Sequence, residues 1–355
     1  MSSNSKSKIV VGAAIAALAL TITGCSSGGA TPTQESSQSA STDPALQTLI
    51  DAAKAEGSVT WYSGFSPAQL QPTADLFQKT YGITVDLVRV SSGPLVQRFT
   101  AEMQSGAPAA DVLLQADPAF ATDAGDQGWL LPLDEELVPN VANWPEDLVD
   151  GSYLKAITIP WLWNYNTDKL SEGDAPKSVE DLLKPEFTGQ LLLNDPRTSG
   201  PVVMGFFNWL YDEYGADFLT DLSKQDLRVY PSTYPALESL AAGEGQVVFP
   251  APAGGDADLI AAGAPLKSIM PTATVGFNQL LSVVADSPHP NAARLFANFI
   301  LSPEGQGPLT NGAAASPLGH DAVPDSLVTP EGMPLIDPAQ TAERSDEIVK
   351  LLGLQ

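Results

Sequence analysis

Residues Ala156–Asn166 read Ala-Ile-Thr-Ile-Pro-Trp-Leu-Trp-Asn-Tyr-Asn. Ile157, Ile159, Trp161, Trp163 and Tyr165 occupy every second position, which is the period of a β-strand. The run is long for a strand. A second long extended stretch, Val275 to Val284, comes later. The two bracket the middle third of the 355-residue chain. They predict a chain that crosses into a second lobe on one strand and returns on the other.

Working outward, the two structural periods alternate. Leu46, Leu49, Ile50 and Ala53 are helical in spacing and stop at Gly57. Val59-Thr60-Trp61-Tyr62 is a short strand. Leu70, Ala74, Phe77 and Tyr81 form the next helical stripe, followed by a strand from Ile83 to Val90. Pro94 opens a helix closed by Gly106, and Asp111–Leu114 is a buried strand. After the long strand come Leu191–Leu193 (strand), Val202–Tyr214 (helix), Leu227–Tyr230 (strand), Pro235–Ala242 (helix), Val247–Phe249 (strand) and Pro290–Leu301 (helix). Such βαβα alternation predicts an α/β fold, with a mostly parallel, helix-covered sheet in each lobe and two hinge strands between them.

The N-terminus reads as a targeting segment. Lys6 and Lys8 precede a 14-residue apolar run, Ile9 to Ile22, too short for a comfortable membrane span and the right size for a signal-peptide core. It ends in Leu20-Thr21-Ile22-Thr23-Gly24-Cys25, which resembles a bacterial lipobox. Cys25 is the only cysteine, so the remainder has no disulfide or thiolate metal site. The stretch from Ser26 to Thr42 is too poor in apolar residues to order itself and reads as a tether. The expected organisation is a signal peptide over 1–24, a lipidated cysteine and tether over 25–44, lobe one over 45–158, lobe two over 159–275, and a return to lobe one with C-terminal helices over 276–355. The expected location is extracytoplasmic, lipid-anchored on the periplasmic or cell-surface side of the membrane.

Charge narrows the partners. Lysine plus arginine number 17 against 42 acidic residues, a formal charge of −25. That argues against nucleic acid, whose phosphates need a cationic surface. An anionic ligand would need local help from a cation or from backbone N–H groups.

Such help is expected where strands hand over to helices, because helix N-termini point free N–H groups outward there. Arg89-Val90-Ser91-Ser92-Gly93-Pro94 and Asn194-Asp195-Pro196-Arg197-Thr198-Ser199-Gly200-Pro201 share a hydroxyl pair, a glycine and a proline. Proline fits a first helical turn and glycine admits a close ligand. Tyr230-Pro231-Ser232-Thr233-Tyr234-Pro235 is a third such turn. Each alone is explained by N-capping; three in two lobes predict a shared cradle. Ser63, Ser91, Ser92 and Gly93 would serve from lobe one. Thr198, Ser199, Gly200, Ser232 and Thr233 would serve from lobe two, with Arg197 neutralising a carboxylate, phosphate or phosphonate. Alternating aromatics ordinarily face a core, but Trp163 is included as a ligand contact on the expectation that one aromatic lines the cleft.

Catalytic and metal constellations are absent. His289 and His320 stand near no promising nucleophile in sequence, and no G-x-S-x-G, P-loop or H-E-x-x-H occurs. Asp256-Ala257-Asp258 reads as surface acid rather than a calcium loop. No cofactor is expected.

Taken in order, several stretches resemble the bacterial extracellular solute-binding proteins of ABC transporters. They are the lipobox, Val59-Thr60-Trp61-Tyr62-Ser63, Phe77-Gln78-Lys79-Thr80-Tyr81-Gly82-Ile83, Ala110-Asp111-Val112, Tyr165-Asn166-Thr167-Asp168, Asp195-Pro196-Arg197-Thr198-Ser199-Gly200 and Ser302-Pro303-Glu304-Gly305-Gln306. The similarity spans about residues 45–310. The branch resembles iron(III), aminoethylphosphonate and phosphosugar binders. It implies a two-lobed type II periplasmic-binding fold, a small-molecule ligand, an ABC permease as partner and a monomeric receptor. Iron binders of that branch carry adjacent tyrosines where this chain has Phe249-Pro250-Ala251-Pro252, and often a histidine where it has Gly64-Phe65-Ser66. Iron(III) wants anionic oxygen ligands, so the expected cargo is an anion-bearing organic solute, with a ferric complex as the alternative. Readings from other classes are an extracytoplasmic hydrolase and a sensory or scaffold lipoprotein of the same fold.

Overall fold

The structure, a computed structural model, describes residues 43–65, 67–90, 92–336 and 341–355; of Ser92 only the backbone is described. The signal peptide, Cys25, most of the tether and Ser91 lie outside the described residues.

Asp43 accepts a hydrogen bond from the Ala45 N–H (2.9 Å), and Pro44 fills the first turn of α1 (Pro44–Glu56). Gly57 then closes the helix in the left-handed region (φ 81°). β1 (Ser58–Ser63), α2 (Pro67–Tyr81), β2 (Thr84–Arg89), α3 (Ser92–Gln104), β3 (Val112–Gln115) and α4 (Pro118–Asp126) follow. β1 lies between β2 and β3 and is parallel to both. The short β4 (Val149–Asp150) leads into the long β5 (Tyr153–Asn166). Next come β6 (Leu191–Asn194), α5 (Pro201–Ser223), β7 (Arg228–Tyr230), α6 (Thr233–Ala241), β8 (Val247–Pro252), α7 (Ala257–Ala261), β9 (Leu266–Ile269), β10 (Gly276–Val283), α8 (Pro290–Ile300) and α9 (Pro303–Thr310).

The strand order is β2-β1-β3-β10-β5-β8-β6-β7, with β4 and β9 both paired to β5 outside that path. β5 belongs to both lobes. Its first half pairs antiparallel with β10, down to Pro160 opposite Gly276. From Trp161 onward it pairs antiparallel with β8 and β9. The three outer strands of each lobe are parallel, as expected, while the strands nearest the hinge are antiparallel because the chain enters and leaves in opposite directions.

Edge-on aromatics pack both lobes. Trp61, Phe77 and Phe296 meet at centroid distances of 4.9–5.0 Å in lobe one. Trp163 meets Phe206 at 5.8 Å and Phe249 at 6.0 Å in lobe two.

Two expectations change. The helix expected to end at Tyr214 does break there, at Gly215 (φ 82°, ψ 170°), and then resumes to Ser223. The C-terminal part, expected with lobe one, reaches lobe two: the helix Ser345–Leu351 packs on α5. The reason is visible in α5, which is buried on every side from Val202 to Leu210 and so needs a cover on its outer face. Ile348, Leu352 and Leu354 enter the same core. Tyr211–Glu347 (3.3 Å) and an Arg344–Asp212 ion pair fasten the rim.

Candidate functional site

The loops at the C-terminal ends of the parallel strands converge on a cleft enclosing about 150 Å³. Lobe one contributes Gly64, Phe65 and Gln69 after β1, Arg89 at the end of β2, and Gln115 and Ala116 at the end of β3. Lobe two contributes Asn194, Ser199, Val202 and Val203 from the β6–α5 turn, Ser232, Thr233 and Tyr234 from the β7–α6 turn, and Pro252 and Gly255 after β8. Trp161, Phe277 and Gln279 form the hinge wall.

The β6–α5 turn works because of Gly200. Its φ of 98° and ψ of 175° are open essentially to glycine alone, and they swing the chain into α5 without a side chain in the way. Neither Gly200 nor Ser232, the N-caps of α5 and α6, supplies a side-chain capping bond. The first turn of α6 therefore leaves the Thr233 and Tyr234 N–H groups, and that of α5 only the Val202 N–H, since Pro201 has none and Val203 bonds to the Gly200 carbonyl; the positive ends of two helices stand behind them.

The hydroxyls have definite orientations. Asn194 Oδ1 accepts from Ser199 Oγ (2.5 Å), and Asn194 Nδ2 donates to Thr233 Oγ1 (2.5 Å). The Ser199 proton is thus held within the protein, whereas Thr233 Oγ1 accepts one bond and its own proton has no acceptor among the described residues. Ser199 Oγ also lies 3.1 Å from the Pro231 carbonyl, which Thr198 Oγ1 reaches at 2.8 Å.

Of the residues named from sequence, Ser199, Ser232 and Thr233 line the cleft. Gly200 shapes its entrance. Ser63 is fully buried below it and accepts from the Phe65 N–H (3.3 Å). Gly93 stands in the first turn of α3 and is not on the wall. Thr198 is tied to Pro231, off the cleft wall. Arg197 is turned away, paired with Asp195 (2.7 Å) and donating to the Leu354 carbonyl. Burial pushes the Asp195 carboxyl up, but the hydrogen bonds and charge of Arg197 outweigh it and leave it below the usual carboxylate range. Trp163 is wholly buried in the lobe-two core; Trp161, two residues earlier, is the tryptophan on the cleft. Asp256, read as surface acid, is 3 % exposed.

Arg89 was not anticipated. It is exposed, makes no ion pair with a described carboxylate, and holds its guanidinium 5.0 Å above the Tyr234 ring from the opposite lobe. Among the described residues it is the only charged one on the cleft wall. An arginine ending a strand just before a hydroxyl-rich turn, in so acidic a chain, was its sequence signal. Two further bonds join the lobes: Asp258 accepts from the Ala68 N–H (3.0 Å), and Gln69 donates to the Ala253 carbonyl (3.4 Å).

At the opposite ends of the strands, Ser58 Oγ lies 3.2 Å from His289 Nε2, and His289 Nδ1 lies 2.9 Å from Asp111 Oδ2. The order is that of a hydrolytic triad. Asp111, however, also accepts from the Thr60 and His289 N–H groups and from Ser287 Oγ. None of the three lines the cleft. The trio fastens the N-terminus of α8 to β1 and β3.

A family model described as bacterial extracellular solute-binding protein matches residues 54–307. A thiamine-binding periplasmic protein of Brucella abortus is 26 % identical over 182 residues, 49 % of this chain and 51 % of that protein. The chain thus spans about half the length of the curated relatives first matched. The substrate-binding protein of an ABC transporter from Agrobacterium tumefaciens is similar in structure, with a TM-score of 0.69 at 17 % identity, covering 87 % of this chain and 97 % of that one. The periplasmic binding protein AfuA of Actinobacillus pleuropneumoniae, solved with fructose 6-phosphate, has a TM-score of 0.66 at 22 % identity, covering 84 % and 99 %. The fold is the two-lobed type II periplasmic-binding fold.

Proposed function

Because the chain belongs to the bacterial extracellular solute-binding proteins, we propose that it captures a small organic anion between its lobes and hands it to an ABC permease. The observation that carries this is the cleft's charge pattern. Arg89 has no ion pair and no carboxylate beside it on the wall among the described residues, in a chain that has far more acidic than basic residues. The free Thr233 hydroxyl and the first turns of α5 and α6 add donors, while Phe65, Trp161 and Phe277 offer an apolar bed for the rest of the ligand. Ligand touching both lobes favours their closed pairing over the open one.

The relatives suggest where to look. Thiamine, bound by the Brucella relative, is itself a cation, and this cleft has no carboxylate for it; a phosphorylated thiamine or sugar would meet Arg89. A ferric ion would find one phenol, Tyr234, and no carboxylate on the wall. The experiment is calorimetric titration with fructose 6-phosphate, thiamine monophosphate, thiamine and ferric citrate, with phosphate release monitored in parallel. A phosphorylated compound is expected to bind saturably, at least about tenfold tighter than its unphosphorylated form, without turnover. Equal affinity for thiamine and its monophosphate would refute the phosphorylated anion; tightest binding of ferric citrate, with none of iron-free citrate, would refute it in favour of a ferric complex; release of phosphate would favour the hydrolase.

The receptor is also proposed to be lipid-anchored through Cys25. Cys25→Ser is expected to move the protein from the membrane pellet to the soluble fraction, since the acyl chains would be its whole attachment. An unchanged pelleted share would remove the anchor.

A further inference from the structure

A second cavity of about 570 Å³ lies between the lobes, adjoining the cleft at Gln69 and bounded there by Gly254 and Ala313. The wall is tight: a Cβ at Gly254 would stand 2.3 Å from Gln69 Nε2 and 2.7 Å from Ala313 Cβ. Lobe one lines this cavity with Leu309 and Leu327; lobe two lines it with Leu162, Ile260 and Met270. Asp256 is its only charged residue among those described.

That carboxylate is 3 % exposed and has no lysine, arginine or histidine partner among the described residues. Oδ2 accepts from Asn164 Nδ2 (2.6 Å) and Ser268 Oγ (2.7 Å). Oδ1 receives no donor from the described residues. Asp256 is the N-cap of α7, yet its side chain makes no capping bond, so capping does not account for it. Beside it, Asn164 Oδ1 is buried and also without a partner. A largely buried negative charge is thus answered, among the described residues, only by neutral donors, with an unpartnered amide oxygen behind it, an arrangement that a cation in the cavity would complete. The nearby Asp258 is spent on the N-terminus of α2 through the Ala68 N–H.

We infer that this cavity is a second binding site, for a small organic ammonium ion whose apolar substituent fills the leucine-lined space while its N–H groups bond to Asp256. A bare metal ion fits less well, because the described residues hold no cluster of three acidic, histidine or cysteine side chains, and most of this wall is hydrocarbon. Walls drawn from both lobes mean that an occupant favours their apposition, independently of what the cleft binds.

The test is titration of the full chain with benzylammonium chloride, with benzyl alcohol as the neutral probe of the same shape. Benzylammonium is expected to bind more tightly than the alcohol. Asp256→Asn should lower its affinity at least about tenfold while leaving the alcohol unchanged. Ile260→Trp alters an exposed rim residue, keeps the charged floor, and should block both probes. If Asp256→Asn fails to fold, the Ile260→Trp variant and the difference between the two probes in the parent protein decide. Absence of millimolar benzylammonium binding, equal affinity for the two probes, or undiminished binding to Ile260→Trp would overturn the site.

Discussion

Replacing Arg89 by alanine is expected to weaken binding of the tightest phosphorylated ligand by thirtyfold to nearly a thousandfold, about 2–4 kcal/mol. The size follows from geometry. Arg89 is the only cation on the cleft wall among the described residues, so none of them substitutes for it, and its planar fork can engage two oxygens of a phosphate or carboxylate at once. Folding should hardly notice. The side chain is exposed, has no ion pair to lose, and gives up only its contact with the Tyr234 ring, worth about 0.5–1 kcal/mol. Arg89→Lys should recover part of the affinity, since it keeps the charge but not the fork. Calorimetry and thermal melting together decide. Affinities within threefold of the parent, for alanine and lysine alike, would show that the helix N-termini and hydroxyls hold the ligand without it.

What could be read from the sequence was set by period, and what could not was set by position across the cleft. Strict alternation from Ile157 to Tyr165 was enough to find β5, and the second extended run was enough to find β10. No local pattern marked Pro160 as the place where β5 leaves one sheet for the other, because that follows from pairing with Gly276 and Pro252, far away in sequence. The same gap explains the site. Hydroxyl-Gly-Pro turns announced strand-to-helix handovers correctly, yet Ser199, Ser232 and Thr233 face the cleft while Thr198 is tied back to Pro231 and Arg197 to Asp195. Which of these side chains points inward depends on partners distant in sequence, Pro231 and Thr233, that the local pattern does not name. Asp256 looked like one more surface acid because its partners, Asn164 on β5 and Ser268 on β9, are brought to it only by the pairing of those two strands.

Trp163→Ala is expected to destabilise the protein by about 3–5 kcal/mol. That should lower the melting temperature by roughly 5–8 °C for a body of this size. Ile159, Trp161, Trp163 and Tyr165 share one alternating set, so sequence alone gives no reason to send one to the core and another to the cleft. The hinge decides. Trp161 is the first residue past the crossover and stacks on Phe277 at 4.9 Å beside the ligand space. Trp163 sits one step deeper, fully enclosed by Phe206 and Phe249 in lobe two. Its indole N–H has no partner among the described residues, so Trp163→Phe should restore most of the stability by keeping an aromatic ring while removing an unsatisfied donor. Trp161→Ala should show the reverse balance, with a smaller loss of melting temperature and a clear loss of affinity. Measuring both properties for both positions separates packing from recognition. If Trp163→Phe keeps its melting temperature but loses ligand affinity as Trp161→Ala does, Trp163 belongs to the ligand and the assignment by burial is wrong.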